Sequence, residues 1–496
     1  MSHVLSRRSL VTAGGAIAML PLLDRSAIAA SRPASAPQRL TAGSRIIEVD
    51  GRAAKVFRLS NAAGQNGLSL APGEAFHVAL TNALDEPTII HWHGQLPPWT
   101  QDGFPWPQTP PLTPHSVKSY DYNPIAGTYW MHSHQGMQEQ RLMTAPLIVH
   151  DAATLREDRQ EIVLMLHDFS FKTPDELLAG LTGQTQAAAH AMSRASEAQP
   201  ASPMSMSGMS GMSGMQSGGM SGMSMDSNDI RYDAFLANDR TLADPAIIPV
   251  NRGGRLRLRV INGASSSQFW IDLGALHGTV VAVDGHAVLP IGGSRFPIAI
   301  AQRLDILLDL PAAGAFPILA RLEDSRRRTG IVLATPGAAI PKYTNTGLDH
   351  VQPIDNAFES RLVARNPLHP RKPDLVHRIV MSGAMKPYRW SLNGAFWPNI
   401  TPLMLKPGQR VELDLVNHSM MAHPMHLHGH SFQVIAINGR PINGAVRDTV
   451  LVTPMMGSVR IAFDAINPGR WAFHCHNLYH MMTGMMTEFR YQGIPA

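Results

Sequence analysis

Phe76, Val78 and Leu80 are apolar, and His77, Ala79 and Thr81 between them are polar or small. A period of two marks a strand with one face buried. The arrangement returns twice more along the chain. Residues 72–82, 252–262 and 407–417 each run from a glycine turn through an alternating strand to an asparagine, and the glycine-to-asparagine step is nine residues in every copy. Internal similarity of this kind predicts three related β units, each with a half-buried antiparallel strand. A second repeat closes each unit: GTYWMHSH at 127–134, GAFPILAR at 314–321 and GRWAFHCH at 469–476. Ser133, Ala320 and Cys475 thereby occupy one equivalent position, with histidines on both sides of it in the first and third copies only.

The rest of the chain arranges itself around these repeats. Arg7-Arg8, an apolar run from Val11 to Leu23 and the small residues Ala27 to Ala30 form a twin-arginine export signal over 1–30, which predicts a periplasmic protein. No later stretch reaches the roughly 18 apolar residues of a membrane span. The expected domains are 40–151, 160–340 and 355–496, all β, with the middle one a spacer or scaffold that has lost any ligands. Residues 177–192 predict a short helix. Residues 204–225 carry eight methionines among serine and glycine; that composition builds no core and predicts a loop, and its thioethers are soft ligands that favour cuprous ion. A formal charge of +5 without basic clusters argues against nucleic acid as a partner.

Cys475 is the only cysteine, so it forms no internal disulfide. Two imidazoles, a thiolate and a weak thioether make a blue-copper site. Cys475, His480 and Met485 supply three of these, and His423 can supply the fourth. Strand alternation sends Cys475 to one face and His474 and His476 to the other. Four H-x-H pairs follow from the same logic: His91/His93, His132/His134, His426/His428 and His474/His476. Eight imidazoles are enough for two coppers with three each and one with two. Ten of the 23 histidines fall in four short windows at equivalent places of a repeat, which core packing does not produce.

These four motifs resemble those of the multicopper oxidases: laccases, copper-efflux oxidases and copper-resistance oxidases. Residues 127–140 (GTYWMHSHQGMQEQ) are most similar to the bacterial copper-resistance branch. The resemblance implies three cupredoxin-like Greek-key β-sandwich domains and four copper ions. A type 1 copper would be held by His423, Cys475 and His480 with axial Met485, and a type 2 copper by His91 and His426. Paired type 3 coppers would be held by His93, His132 and His476, and by His134, His428 and His474. Asp102 falls where related enzymes keep an acid beside the trinuclear cluster. Two departures stand out. Met481 occupies a position where many bacterial members have a glutamate proton donor, and residues 419–422 (SMMA) replace the substrate-copper aspartate of copper-efflux oxidases. The implied activity is one-electron oxidation of phenolic or aromatic substrates, or of Cu(I), coupled to reduction of O2 to water in copper tolerance, by a monomer. The imidazole edges of His423 or His480 are expected near the surface, where substrate delivers electrons. The alternative is a periplasmic copper-sequestering protein with incidental oxidase activity.

Overall fold

In the first copy the repeat strand Phe76–Asn82 lies between Gln38–Val49, which runs parallel to it, and Val117–Tyr122, which is antiparallel. In the second, Arg255–Asn262 lies between the parallel Gln160–Phe169 and the antiparallel Arg303–Asp309. In the third, Arg410–Asn417 lies between the parallel Leu375–Met385 and the antiparallel Ser458–Asp464. The three copies are real, but each repeat strand is in a mixed sheet rather than a purely antiparallel one. Alternation reports a pleat with one apolar face and carries no information on neighbour direction. These relations come from a computed structural model that describes residues 36–195 and 228–495. The export signal and the methionine-rich stretch lie outside the described residues.

The closing repeat forms the centre of a second sheet in each copy. Gly127–Ser133 pairs with Ile90–His93 and Thr144–Val149. Ala315–Leu322 pairs with Phe269–Asp272 and Arg328–Ala334. Arg470–Cys475 pairs with His423–Leu427 and Met486–Tyr491. The recurring asparagine has a direct physical reason. Asn82 Nδ2 donates to the carbonyls of Glu86, Leu112 and Thr113, Asn262 Nδ2 to those of Ser267 and Ile298, and Asn417 Nδ2 to those of Met421, Val452 and Thr453. One buried amide thus satisfies the carbonyls of two loops at once, a task that needs a side-chain donor.

Half-burial holds for Phe76–Asn82, whose residues alternate between buried and partly exposed. It fails for Arg255–Asn262, which is buried on both faces from Leu256 onward. Arg257 and Arg259 project into that covered side and pair with Asp305, while Thr128 of the first copy donates to Asp305 at 2.5 Å. The first copy therefore packs on a surface that would otherwise be wet, and buried charges there are paired, as burial demands.

The helix expected over 177–192 is two helices, Pro174–Thr182 and Gln186–Ala195. A capping box of Thr173 and Glu176 starts the first, and Gly183 at φ 67° ends it in the left-handed conformation. Leu177 and Leu178 are buried in the same apolar cluster as Trp390 of the third copy. No helix among the described residues is long and apolar enough to cross a membrane.

Candidate metal centre

Cys475 ends a fully buried strand, and its Sγ lies 3.6 Å from both His423 Nδ1 and His480 Nδ1. The two Nδ1 atoms are 3.0 Å apart. His423 begins the neighbouring strand, and His480 comes from the short helix Leu478–Met482, whose N-cap Asn477 accepts from the backbone N–H groups of Tyr479 and His480. Met485 is buried beside them: its carbonyl accepts from Cys475 N at 3.1 Å and its own N–H donates to His480 O at 3.0 Å. The expectation of a surface imidazole edge is corrected here. His423 and His480 are both fully buried, with Ser419 Oγ 2.7 Å from His423 Nε2 and Asp229 Oδ2 2.9 Å from His480 Nε2.

On the other face of the same strand, eight imidazoles from the first and third copies converge. Three groups of buried rings have nitrogens within 4.8 Å of one another: His91, His93 and His426; His93, His132 and His476; and His134, His428 and His474. Alternation keeps both members of each H-x-H pair on one face; His91 and His93 share a group, while His132/His134, His426/His428 and His474/His476 each divide between two groups. Asp102 is buried among them, with Oδ2 2.7 Å from His428 Nδ1 and its backbone carbonyl 2.8 Å from His91 Nδ1.

The outer nitrogens of these rings face oxygen. His93 Nε2 meets Asp448 Oδ1 at 3.0 Å, His132 Nδ1 meets Glu139 Oε2 at 2.9 Å, His426 Nδ1 meets Asp448 O at 2.8 Å, and His474 Nδ1 meets Cys475 O at 2.9 Å. A neutral imidazole has one N–H and one lone pair, and an oxygen outside claims the N–H. The inner nitrogens then present lone pairs to each other. His428 Nε2 and His474 Nε2 are 3.0 Å apart, and His132 Nε2 and His476 Nε2 are 3.4 Å apart. Lone pairs at such separations repel unless a cation lies among them, so the donor set fits metal ions. Proton binding is no substitute. Burial, with neighbouring rings adding to it, holds His93, His132, His134, His426, His428 and His476 well below the ordinary imidazole value, and burial holds His474 at about 4. Burial likewise raises the Cys475 thiol, so a cation is needed to draw out the thiolate at neutral pH.

Three family models described as multicopper oxidase match residues 45–154, 164–346 and 369–493. The chain is 31% identical to multicopper oxidase MmcO of Mycobacterium tuberculosis over 97% of this chain and 92% of that protein. The chain belongs to the multicopper oxidase family. It is also similar to copper resistance protein A of Escherichia coli, 26% identical over 91% of this chain and 92% of that one. The crystal structure of Fet3p, a multicopper oxidase that functions in iron import, superposes with a TM-score of 0.72 over 92% of this chain and 90% of that chain at 20% identity. That last likeness is one of fold: three cupredoxin domains built mostly of β-sheet. As a multicopper oxidase the protein is an oxidoreductase that uses oxygen, and its family domains imply copper as cofactor.

Several residues around the oxidase's histidines had no signal in the sequence. Asp448 touches His93, and it is gripped by Arg303, which the middle copy supplies. Arg303 also donates to Thr128 O at 3.2 Å, so one guanidinium joins all three copies. Glu139, whose carboxyl burial and Asp168 raise well above the usual range, supports His132 and lies 3.9 Å from His476 Nδ1. Asp229 and Thr449 back His480 and His93 from positions remote in sequence, and Ser419 backs His423 from four residues away. The middle copy holds no histidine of these clusters, yet it positions those that the other two hold.

Proposed function

We propose that this multicopper oxidase carries four coppers, one of type 1, one of type 2 and two of type 3, and uses them to oxidise cuprous ion or phenolic and aromatic reductants in copper tolerance. The type 1 ion is assigned to His423, Cys475, His480 and Met485, and the type 2 ion to His91 and His426. The type 3 pair is assigned to His93, His132 and His476, and to His134, His428 and His474. The observation that carries the assignment is the facing of inner nitrogens across each group. Bound copper supplies one-electron redox steps, and four ions match the four electrons that take O2 to two waters. Cys475 is joined by two peptide bonds to His474 and His476, which gives an electron leaving Sγ a short through-bond path to both histidine groups. Asp102 holds the His428 and His91 rings and is the group proposed to deliver protons on the oxygen side. Met481, buried next to His480, cannot do so.

The domain limits are proposed as 40–151, 160–340 and 355–496, and the location as periplasmic after export by the twin-arginine signal at 1–30, as a monomer. Cuprous ion is preferred as the physiological donor, because the named relative is a copper resistance protein and residues 204–225 place eight thioethers in one stretch. Oxygen uptake decides it. The copper-loaded protein consumes O2 with cuprous ion, and replacing the eight methionines with serine raises the cuprous KM and leaves phenol kinetics unchanged. Copper binding without oxygen uptake from either donor would return the protein to metal sequestration.

A further inference from the structure

His93, His132 and His476 share one neighbour, Trp130. It comes two residues before His132 on the strand Gly127–Ser133, so both side chains leave the same face. Across the sheet it stands directly opposite His93 on Ile90–His93. The third copy brings His476 to the same indole. Ring centroids lie 4.4 Å away for His132, 5.1 Å for His93 and 5.5 Å for His476, with interplanar angles of 23°, 35° and 42°. One indole thus packs on all three rings of one group. The group of His134, His428 and His474 meets Phe104 instead, at 5.1 Å and 60° for His134 and at 5.8 Å and 89° for His428, which are steep contacts rather than stacked ones. The middle copy packs on the same indole. Trp130 is fully buried in an apolar cluster with Met165, Ile261, Ile300 and Ala301. Ala301 stands at φ 68°, a left-handed conformation that costs a non-glycine residue free energy. Its N–H donates to Asn262 O at 3.0 Å and its carbonyl accepts from Arg303 Nη1 at 3.0 Å, so the wall against the indole is held from both sides. The Nε1–H of Trp130 has no hydrogen-bond partner among the described residues. A phenyl ring in its place would avoid that cost. What the indole adds is width, and three rings converge on it.

We propose that Trp130 is a positioning residue for the copper assigned to His93, His132 and His476: its indole fixes the angles at which these three rings present their inner nitrogens, and it carries the packing of the ligand-free middle copy to that group. The proposal rests on the reading of the group as one half of the type 3 pair. Its physics is packing. Asp448 and Glu139 meet the outer nitrogens of His93 and His132 at 3.0 and 2.9 Å. A hydrogen bond at one edge sets the tautomer and the direction of a ring but leaves it free to rock about that bond, and a flat surface against the face stops the rocking. His476 Nδ1 lies 3.9 Å from Glu139 Oε1, too far for a hydrogen bond, so the acid does not fix this ring. Removing the indole therefore loosens one group of three. His423, Cys475 and His480 gather on the opposite face of Arg470–Cys475 and keep their arrangement.

The test uses the full-length, copper-loaded protein with Trp130→Leu, with Trp130→Phe and, as a core control in the first copy, with Leu80→Ala. Copper content per chain, visible absorption and paramagnetic resonance are read on each, with a melting curve alongside. Trp130→Leu is expected to hold three coppers in place of four, to keep the blue band and to gain a resonance signal from the type 3 copper left without its partner. Trp130→Phe keeps all four but holds one of them about tenfold more weakly in a chelator competition, the lower end of what groups behind a metal ligand contribute. Leu80→Ala lowers the melting midpoint and keeps four coppers at wild-type affinity. Four coppers held at wild-type affinity by Trp130→Leu overturn the proposal. So does a loss in which the blue band and the type 3 copper fall together with the melting midpoint, since that is a general loss of fold. If Trp130→Leu yields no folded protein, Trp130→Phe decides alone, and wild-type affinity for all four coppers overturns the proposal. A wild-type protein with fewer than four coppers would instead overturn the assignment of the ligand groups.

Discussion

Ser133 and Cys475 sit at the same point of the same strand in two copies of one fold, and they do different chemistry. Ser133 Oγ donates to Gln138 Oε1 at 2.8 Å and accepts from Gln135 N at 2.9 Å, so it holds a loop. Cys475 Sγ instead faces two imidazole nitrogens. In both strands the flanking histidines turn to the opposite face, where His132 meets His476 and His134 packs against His474. Backbone alternation thus delivers the histidine pairs whatever the central residue is, and on the proposed reading it is the central residue that gives an electron its way in. The middle copy extends the comparison: Ala320 at this point is simply part of the apolar core.

The sharpest break of this comparison is Cys475→Ser, which makes the third copy like the first. Blue absorption and oxidase turnover are expected to vanish, while the thermal unfolding midpoint stays close to wild type, because a small buried side chain is exchanged for one of similar size. A visible spectrum, oxygen uptake and a melting curve check this together. No other thiol exists to replace the lost one.

A second test asks whether the middle copy contributes more than bulk. Arg303 and Arg259 both come from it, and both are buried in ion pairs, but only Arg303 leads through Asp448 to His93 and to His426, one of the two rings assigned to the type 2 ion. Arg303→Met leaves buried carboxylates unpaired and is expected to cost about 3–5 kcal/mol of stability, and also to weaken copper retention and alter the type 2 paramagnetic resonance signal. Arg259→Met is expected to lower stability and leave that signal as it is. Identical signals in both variants would reduce Arg303 to a packing role.

The smallest effect is that of acid on the two histidine pairs. In the copper-free protein burial holds all four rings below the unfolded value of about 6.5, His474 at about 4 and His132, His134 and His476 well below the ordinary imidazole value. Below the unfolded value the unfolded chain binds protons that the folded chain refuses. Stability is therefore full above that value and is lost as pH falls toward 4 and beyond, by about 1.4 kcal/mol per pH unit for each ring. Imidazole NMR titration of the copper-free protein checks that the four rings stay neutral below the unfolded value, and urea unfolding at stepped pH checks the slope.

Much of this was legible in the chain because it depends on local rules. Period two, a turn glycine and a terminal asparagine follow from the pleat and from a fixed loop-tying task, and they recur wherever the fold recurs. The H-x-H spacing is local for the same reason. The two helices where one was expected turn on Gly183, a single left-handed residue inside a helix-favouring run. Parallel pairing of Phe76–Asn82 with Gln38–Val49, and the burial of both faces of Arg255–Asn262, are not written in any window of residues, since each is set by which surface arrives from elsewhere.

By itself the sequence determined three β copies, the faces on which the histidines emerge and the uniqueness of the thiol at Cys475, all consequences of backbone geometry acting over a few residues. Only the tertiary structure decided that His423 and His480 are sealed from solvent, that Asp229 and Arg303 of the ligand-free middle copy stand behind the rings, and that Asp448 and Glu139 face their outer nitrogens. Apart from Glu139 on His132, those contacts join residues more than a hundred positions apart, and charge and burial at such points depend on how sheets pack, which no local pattern encodes.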